Sequence, residues 1–176
     1  MKTNRIRQKL LKGEPTLGCY LGLGSPNVVE LMAAAGFEWL VFEAEHSALE
    51  IPDIERMLMA VGDSDTVPLV RIPSNDPVWI QRALDIGGMG IIVPMVQTAV
   101  EAEAIVRATR YPPVGIRGFG PLRAAKYSFD FADYFARANE NIIIGLILET
   151  KEAVNNLEEI ASIPGIDAIH LGPFDL

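Results

Sequence analysis

Short runs of Val, Ile and Leu recur along the chain, and between them apolar residues fall at every third or fourth position. Within the runs, consecutive residues are apolar, so both faces of such a strand would be buried, as is typical of parallel sheets. The runs predict six strands: Thr16–Leu21, Trp39–Glu43, Val67–Arg71, Gly90–Pro94, Ile142–Glu149 and Ala168–Leu171.

Helix start signals stand between the predicted strands. At each of them a capping residue precedes a proline or a polar first turn, and apolar residues then follow at helical spacing. A helix over about Pro52–Val61 fits the same spacing. The alternation of strands and helices predicts an α/β fold with a parallel sheet. The four start signals are Ser25-Pro26, Asp76-Pro77, Thr98-Ala99-Val100-Glu101 and Glu149-Thr150.

The number of strands bounds the architecture. The 176 residues are enough for one domain with a substantial core. Six strands in this alternation are two fewer than an eight-stranded barrel requires. We therefore expect a single domain over residues 1–176, a TIM-type (β/α)8 barrel truncated after the sixth strand, with the C-terminal β/α units absent.

One segment, Tyr111–Asn139, interrupts the alternation with glycines, prolines and many aromatic residues. A connection of this length in a compact domain is usually functional or disordered. Because the aromatic content argues against disorder, we expect an ordered active-site or interface loop, with part of it helical near Phe131–Ala138.

Composition excludes several classes of protein. The formal net charge is −8 and no cluster of Lys and Arg is present, which argues against a nucleic-acid partner. The single cysteine, Cys19, has no partner for a disulfide or a zinc motif, and its apolar neighbours indicate a core position. No apolar run could span a bilayer, and the basic N-terminus lacks the apolar core of a signal peptide. We expect no membrane partner and a cytoplasmic location.

Ionisable side chains stand at the end of four of the predicted strands or shortly after it: His46, Arg71, Glu149 and Asp175. The carboxyl ends of parallel strands lie on one face of a sheet or barrel, and that face is where such folds do chemistry. We therefore expect these side chains to converge there. His170, by contrast, lies inside an apolar run, and we expect it to be a core residue.

The two carboxylates have a chemical and a structural interpretation. With no cysteine cluster, Glu149 and Asp175 would hold a hard divalent ion such as Mg²⁺ or Mn²⁺ and leave coordination positions open for water or substrate. Alternatively, Glu149 begins a helix and Asp175 caps one. The spacing alone does not decide between these interpretations.

Arg71 and His46 are also open to two interpretations. The planar guanidinium of Arg71 suits a substrate carboxylate or a developing enolate, but it could equally form an ion pair with Glu43 or Glu45. A histidine beside these carboxylates is oriented for acid–base chemistry, although a lone histidine is often structural. Convergence with the other strand-end residues favours the catalytic role for His46.

A series of motifs runs across nearly the whole chain. In order, they are Glu45-His46, Val70-Arg71 with Asn75-Asp76-Pro77, Val93-Pro94-Met95-Val96-Gln97, Ala108-Thr109-Arg110-Tyr111-Pro112-Pro113 with Gly115-Ile116-Arg117-Gly118, Glu149-Thr150 with Ala153 and Asn156, Gly165-Ile166-Asp167, and Gly172-Pro173-Phe174-Asp175-Leu176. Together they resemble the HpcH/HpaI aldolase family of metal-dependent class II pyruvate aldolases. Within the family, they are similar to 4-hydroxy-2-oxoheptanedioate aldolases and 2-keto-3-deoxy-sugar-acid aldolases.

The resemblance implies a (β/α)8 barrel and cleavage of 4-hydroxy-2-oxo acids to pyruvate and an aldehyde through a metal-bound pyruvate enolate. It implies that Glu149 and Asp175 hold the divalent ion, Mg²⁺ or Mn²⁺ with Co²⁺ also possible. It further implies a homo-oligomer, a trimer or hexamer, for the full-length form.

The resemblance also implies roles for the residues around the metal. Arg71 would steady the enolate oxygen, and His46 would act with water as the acid and base. Gly172 and Pro173 would lie beside the substrate.

Two departures from the family pattern bear on the substrate. The family usually has Asp at the position of Glu43 and Gln at the position of Ile147, where the amide would offer the substrate a hydrogen bond. One alternative function is an acyl-CoA lyase of the malyl- or citramalyl-CoA type, which would need a basic, nucleotide-sized site. Another is a non-catalytic barrel fragment.

Overall fold

Helices and strands alternate through most of the computed structural model, which describes residues 1–176. The strands are β1 (Gly18–Leu21), β2 (Trp39–Glu43), β3 (Val67–Arg71), β4 (Gly90–Val93), β5 (Ile143–Leu148) and β6 (Ala168–Leu171). The helices are α1 (Arg5–Leu11), α2 (Pro26–Ala34), α3 (Ile51–Val61), α4 (Pro77–Asp85), α5 (Ala99–Thr109), α6 (Phe131–Asn141), α7 (Lys151–Asn155) and α8 (Leu157–Ala161).

The six strands form one parallel sheet in the order β1-β2-β3-β4-β5-β6. Neighbouring strands lie about 4.8 Å apart, so the edges of a flat six-stranded sheet would be separated by roughly 24 Å. Instead, the rings of Tyr20 on β1 and His170 on β6 have centroids only 6.4 Å apart. The sheet is therefore curled into a half-barrel whose first and last strands face each other.

The predicted α/β class and all six strands are confirmed, with strand ends shifted by one or two residues. The curled sheet is consistent with a truncated TIM-like barrel. The predicted helix starts are also confirmed. The apolar residues at helical spacing after Thr150 form two short helices, α7 and α8, because the chain leaves helical geometry at Asn156. The side-chain amide of Asn156 donates to the carbonyl of Gln97 at 2.9 Å.

Apolar side chains fill both sides of the sheet. The larger core lies between the sheet and the helices and includes Phe42, Val70 and Ile144. A smaller core fills the concave side and includes Val41, Leu69, Ile92 and Ile147. Burial on both sides explains why the strands appear in the sequence as continuous apolar runs.

Two glycines make the concave core possible. A β-carbon on Gly90 would lie 2.7 Å from Leu69 Cδ2 and 2.8 Å from the carbonyl oxygen of Ile143. A β-carbon on Gly145 would lie 2.6 Å from Ile92 Cδ1. The large side chain of one strand thus occupies the space that the glycine of the next strand leaves open.

We expect Gly90→Ala to lower the free energy of unfolding by roughly 1–3 kcal/mol, because the added methyl overpacks against both a side chain and a backbone carbonyl. Urea unfolding followed by circular dichroism measures the change. Gly120→Ala is the matched control, since its nearest neighbour would be Asp85 Oδ2 at 3.4 Å, an ordinary contact. Equal stability of the two variants would contradict this account of the concave core.

Helix α1 was not predicted from the sequence. Asn4 caps it, accepting the amide of Arg7 at 3.1 Å, and is itself buried, donating to the carbonyls of Met89 and Asn141. Ile6 packs into the concave core. The helix therefore covers the amino-terminal opening of the half-barrel.

None of the helices has the length and apolar content needed to span a bilayer.

The segment Tyr111–Asn139 is ordered, as predicted, and ends in α6. The Arg117 side chain is buried in it, donates to Asp85 at 2.6 Å and to the Tyr134 hydroxyl at 3.1 Å, and lies 4.5 Å from the Tyr111 ring centroid. These contacts anchor the segment to α4. Whether it also serves the active site or an interface stays a prediction.

The expectation that His170 is a core residue is wrong. It is exposed, because β6 is the edge strand of the sheet and carries no neighbour on its outer side. Cys19 is half-buried and packs against the larger core, close to expectation.

Candidate active site

The strand-end residues predicted from the sequence meet at the carboxyl edge of the sheet. Glu43 ends β2, Arg71 ends β3, and the two are register partners. Glu45 and His46 lie in the turn that follows β2, and Glu149 directly follows β5. The parallel order of the strands places all five on one face, which we call the candidate active site.

Arg71 forms two ion pairs at the centre of this site. Its Nη1 lies 3.2 Å from Glu43 Oε2, and its Nη2 contacts Glu45 Oε2. The ion-pair interpretation of Arg71 is therefore confirmed for both carboxylates. The Nε atom is buried and has no hydrogen-bond partner. Because buried N–H groups are nearly always paired, this atom identifies a donor that a ligand could satisfy.

Glu43 also shapes the turn that carries His46. Its Oε1 accepts the backbone amides of Glu45 at 2.8 Å and His46 at 3.0 Å, and its backbone carbonyl accepts the hydroxyl of Ser47. One carboxylate thus holds both the guanidinium of Arg71 and the backbone before His46. The sequence led us to expect that carboxylates beside His46 orient it, and Glu43 here holds the backbone amide of that residue.

His46 projects from the turn with 67% of its side chain exposed. Its Nε2 lies 3.5 Å from Glu45 Oε2, so a carboxylate faces the ring while the rest of the ring is accessible. Burial raises the pKa of the Glu45 carboxyl; Arg71 and His46 oppose this, while Glu149 and Glu43 add to it. The site therefore gathers several carboxylates within Coulombic range of one another.

Glu149 is buried, with 4% of its surface exposed. Its Oε1 accepts the backbone amide of Met95 at 2.7 Å, and Met95 adopts the left-handed region with φ 57°. A β-carbon on Gly172 would lie 2.7 Å from Glu149 Cβ and 3.0 Å from Oε2. The glycine at the end of β6 therefore makes room for the carboxylate, and Oε2 points toward that strand.

The remaining predicted site residues lie beyond β6. Pro173 and Asp175 are exposed in the turn after Leu171, where the amide of Asp175 donates to the carbonyl of Gly172 at 3.3 Å. The structure contains no cluster of three or more Asp, Glu, His or Cys side chains that could hold a metal ion. The predicted metal pair of Glu149 and Asp175 stays a prediction.

The carboxyl edge carries a negative charge that would attract a divalent cation. Glu43, Glu45 and Glu149 outnumber the single guanidinium of Arg71, so the site carries an excess of negative charge. Oxygen donors of this kind suit Mg²⁺ and Mn²⁺. Glu149 uses one oxygen for the Met95 amide and keeps the other free of protein donors.

Sequence reasoning missed two residues at this site. Tyr20 points into the concave side near Arg71; burial raises the pKa of its hydroxyl, an effect that the charge of Arg71 opposes and that of Glu43 enhances. Met95 supplies the amide that holds Glu149. Tyr20 stands one residue before the end of β1, the kind of position that supplied the other site residues. No residue type could reveal Met95, because its backbone makes the contact.

Comparison with known proteins agrees with the geometry. The sequence model of the HpcH/HpaI aldolase/citrate lyase family matches residues 16–176, nearly the whole chain. The chain belongs to this family. The resemblance inferred from the sequence motifs is thereby confirmed.

Individual members of the HpcH/HpaI family are similar in sequence and in structure. The 5-keto-4-deoxy-D-glucarate aldolase of Escherichia coli O139:H28 (strain E24377A / ETEC) is 41% identical over 173 residues, which cover 98% of this chain and 68% of the relative. An HpcH/HpaI aldolase/citrate lyase family protein from Burkholderia cenocepacia J2315 superposes with a TM-score of 0.93 at 34% identity, covering 99% of this chain and 70% of that one.

A third relative extends the comparison. The HpcH/HpaI aldolase from Desulfitobacterium hafniense DCB-2 superposes with a TM-score of 0.89 at 32% identity, covering 97% of this chain and 67% of that one. Membership of the HpcH/HpaI family and these similarities support a carbon–carbon lyase of the aldolase type.

Proposed function

We propose that this chain carries the active site of a divalent-metal-dependent aldolase that cleaves 4-hydroxy-2-oxo acids to pyruvate and an aldehyde. The observation that carries the proposal is the environment of Arg71. Its guanidinium lies between Glu43 and Glu45 at the carboxyl edge of the half-barrel, and its buried Nε donor has no hydrogen-bond partner. Its guanidinium is prepared to receive a developing oxyanion.

The carboxylates would hold the metal, and Arg71 would bind the substrate. Glu149 offers its free oxygen and Asp175 a second carboxylate from the turn after β6. When bound, the metal would act as a Lewis acid that withdraws electrons from the 2-oxo group of the substrate. Arg71 would donate to the oxygen that becomes negative when the C3–C4 bond breaks.

His46 would carry the proton. Removal of the proton from the C4 hydroxyl allows the C3–C4 bond to break, which releases the aldehyde and leaves the bonding electrons on the three-carbon enolate. Protonation of the enolate at C3 then gives pyruvate. The exposed His46 ring, opposite Glu45, would take the first proton and return one, directly or through water.

The relatives indicate which substrate to test first. The Escherichia coli relative is named for 5-keto-4-deoxy-D-glucarate, a sugar-derived oxo acid, and is 41% identical. Ile147 is buried in the concave core beneath the site. Its hydrocarbon side chain offers the substrate no hydrogen bond, whereas the family usually has Gln at this position. We therefore expect the reaction class to be shared and the relative rates on different oxo acids to differ.

The proposal extends to the assembly. We propose that the half-barrel corresponds to six strands of a (β/α)8 barrel that works as a homo-oligomer, a trimer or hexamer. The TM-score of 0.93 with a chain of which this one covers 70% supports the barrel. The oligomer is proposed from the resemblance to the HpcH/HpaI family alone. Light scattering of the full-length protein tests the oligomeric state.

Pyruvate release from 5-keto-4-deoxy-D-glucarate, coupled to lactate dehydrogenase, tests the proposed function. We expect release with Mg²⁺ or Mn²⁺ and none after EDTA, with recovery when the metal returns. Release of an acyl-CoA cleavage product from malyl-CoA instead would favour the acyl-CoA lyase. That enzyme would need a basic site for the nucleotide, whereas the candidate active site is acidic. Failure with every oxo acid and acyl-CoA would favour a non-catalytic fragment.

We expect Glu149→Gln to weaken Mn²⁺ binding by at least ~10-fold, since even partners that only orient a ligand typically matter by that factor. The substitution keeps an oxygen for the Met95 amide, so the fold should be preserved. Electron paramagnetic resonance titration of Mn²⁺ measures the change, with exposed Glu152→Gln as the control. Unchanged affinity in Glu149→Gln would remove Glu149 from the metal site.

A further inference from the structure

A cavity lies at the opposite end of the half-barrel from the candidate active site. Its volume is about 480 Å³, and its wall includes Thr66 and Pro68 at the start of β3 and Met89 just before β4. Arg71, at the other end of β3, belongs to the candidate active site. The cavity is therefore separated from the catalytic face by the length of the strands, and we call it the amino-end cavity.

The amino-end cavity has an apolar floor of a size that suits a small molecule. Leu58 on α3, Met89 and Tyr134 on α6 are buried around it, and Met59 and Tyr127 line it with exposed side chains. Ligand sites typically measure about 300–1,000 Å³ and combine apolar walls with a few polar groups. An apolar ligand body would thus find matching surface here.

Two cations on the wall have no acidic partner. Lys2 Nζ donates to the carbonyls of Gly62 at 2.8 Å and Ser64 at 3.0 Å, and Arg123 Nη1 donates to the carbonyl of Ile86 at 2.7 Å. Carbonyl oxygens orient these head groups without neutralising their charge. In a chain of net charge −8, this is a local excess of positive charge.

The other charges around the cavity do not cancel these two. Lys126 and the amino terminus of Met1 also line it, but both pair with Asp130. Asp63 is the one carboxylate on the wall, and it is exposed and forms no ion pair with Lys2 or Arg123. The unneutralised cations are therefore available to an anion.

The glycine that follows the end of α4 leaves room for the guanidinium of Arg123. Gly87 has φ 110°, and a β-carbon there would lie 2.6 Å from Arg123 Nη1. The Arg123 head group thus occupies space that a side chain at this position would fill. On the far side, Lys126, Tyr127 and Ser128 are three consecutive non-glycine residues in the left-handed region. Such conformations concentrate at ligand sites, where the surrounding structure maintains them.

We propose that the amino-end cavity is a binding site for a small organic anion, one with a carboxylate or phosphate head and an aromatic or branched aliphatic body. Lys2 and Arg123 bind the head, and the buried floor around Met89 and Tyr134 receives the body. Because the cavity is remote from Arg71, its ligand is distinct from the substrate of the candidate active site. This site does not depend on the aldolase proposal.

Isothermal titration of the full chain with four probes tests the site: phenyl phosphate, benzoate, inorganic phosphate and phenol. We expect phenyl phosphate or benzoate to bind, and the one that binds more tightly identifies the head group. Arg123→Gln and Lys2→Gln should each weaken that binding about 10-fold, the scale of a lost charge-assisted hydrogen bond. Arg107→Gln, an exposed cation on α5 outside the cavity, should leave it unchanged.

Arg123→Lys keeps the charge and should restore part of the affinity that Arg123→Gln loses. If Arg123→Gln fails to fold by circular dichroism, the exposed Lys2→Gln variant decides alone. Inorganic phosphate that binds as tightly as phenyl phosphate would show that the apolar floor is not used and would overturn the proposal. So would binding that neither Arg123→Gln nor Lys2→Gln weakens, or no binding of any probe.

Discussion

Replacing His46 by alanine should slow pyruvate release by roughly 10²–10⁴-fold, the usual scale for losing a general acid or base. The reason is positional. Glu43 holds the backbone amide of His46 at 3.0 Å, and Glu45 faces its Nε2 at 3.5 Å, so the ring is placed while most of it stays accessible to substrate. Alanine removes the ring and leaves the backbone hydrogen bond intact, so the turn should keep its shape.

Metal affinity separates a proton carrier from a ligand. We expect His46→Ala to bind Mn²⁺ as the unmodified protein does, and to slow both aldol cleavage and exchange of the pyruvate methyl protons with deuterium, followed by NMR. Glu45→Gln, which keeps the shape of the neighbouring side chain but loses its charge, should show a smaller loss. Loss of Mn²⁺ binding in His46→Ala would make His46 a metal ligand and contradict the assignment.

The strands could be predicted because local composition decides them. Each is a run rich in Val, Ile and Leu whose side chains are buried on both faces of the sheet. Val41, for example, is buried on the concave side and Phe42 on the convex side. Helix α1 escaped prediction because distant contacts hold it: Asn4 bonds to Met89 and Asn141, which lie far along the chain. A seven-residue helix has little stability of its own.

The site residues could be selected by their position after a strand, but their contacts could not. Glu43 meets Arg71 only because β2 and β3 pair in one particular register, and a shift of one residue would turn the side chains to opposite faces. Met95 acts through its amide, which every non-proline residue possesses. The prediction for His170 was wrong because it also depended on the tertiary structure. An apolar run predicts burial only where neighbouring strands cover both sides.

Arg71→Lys should reduce turnover roughly 10²-fold, a rise in the activation barrier of about 3 kcal/mol, with a smaller effect on KM. Arginine reaches Glu43 and Glu45 with two nitrogens of one rigid plane and leaves Nε for a ligand, whereas lysine offers a single flexible ammonium. The charge survives, so substrate attraction should persist, but the donor that we propose for the developing enolate is lost.

The competing interpretation of Arg71 is purely structural, and stability distinguishes the two. An ion pair that only supports the fold would lower the urea midpoint in Arg71→Lys while turnover of the folded fraction stayed normal. Glu43→Gln is the matched comparison, because it weakens one ion pair of Arg71 and leaves the guanidinium in place. We expect Arg71→Lys to lose far more turnover than Glu43→Gln at similar stability. Near-normal turnover of folded Arg71→Lys would limit Arg71 to holding the turn that carries Glu45 and His46.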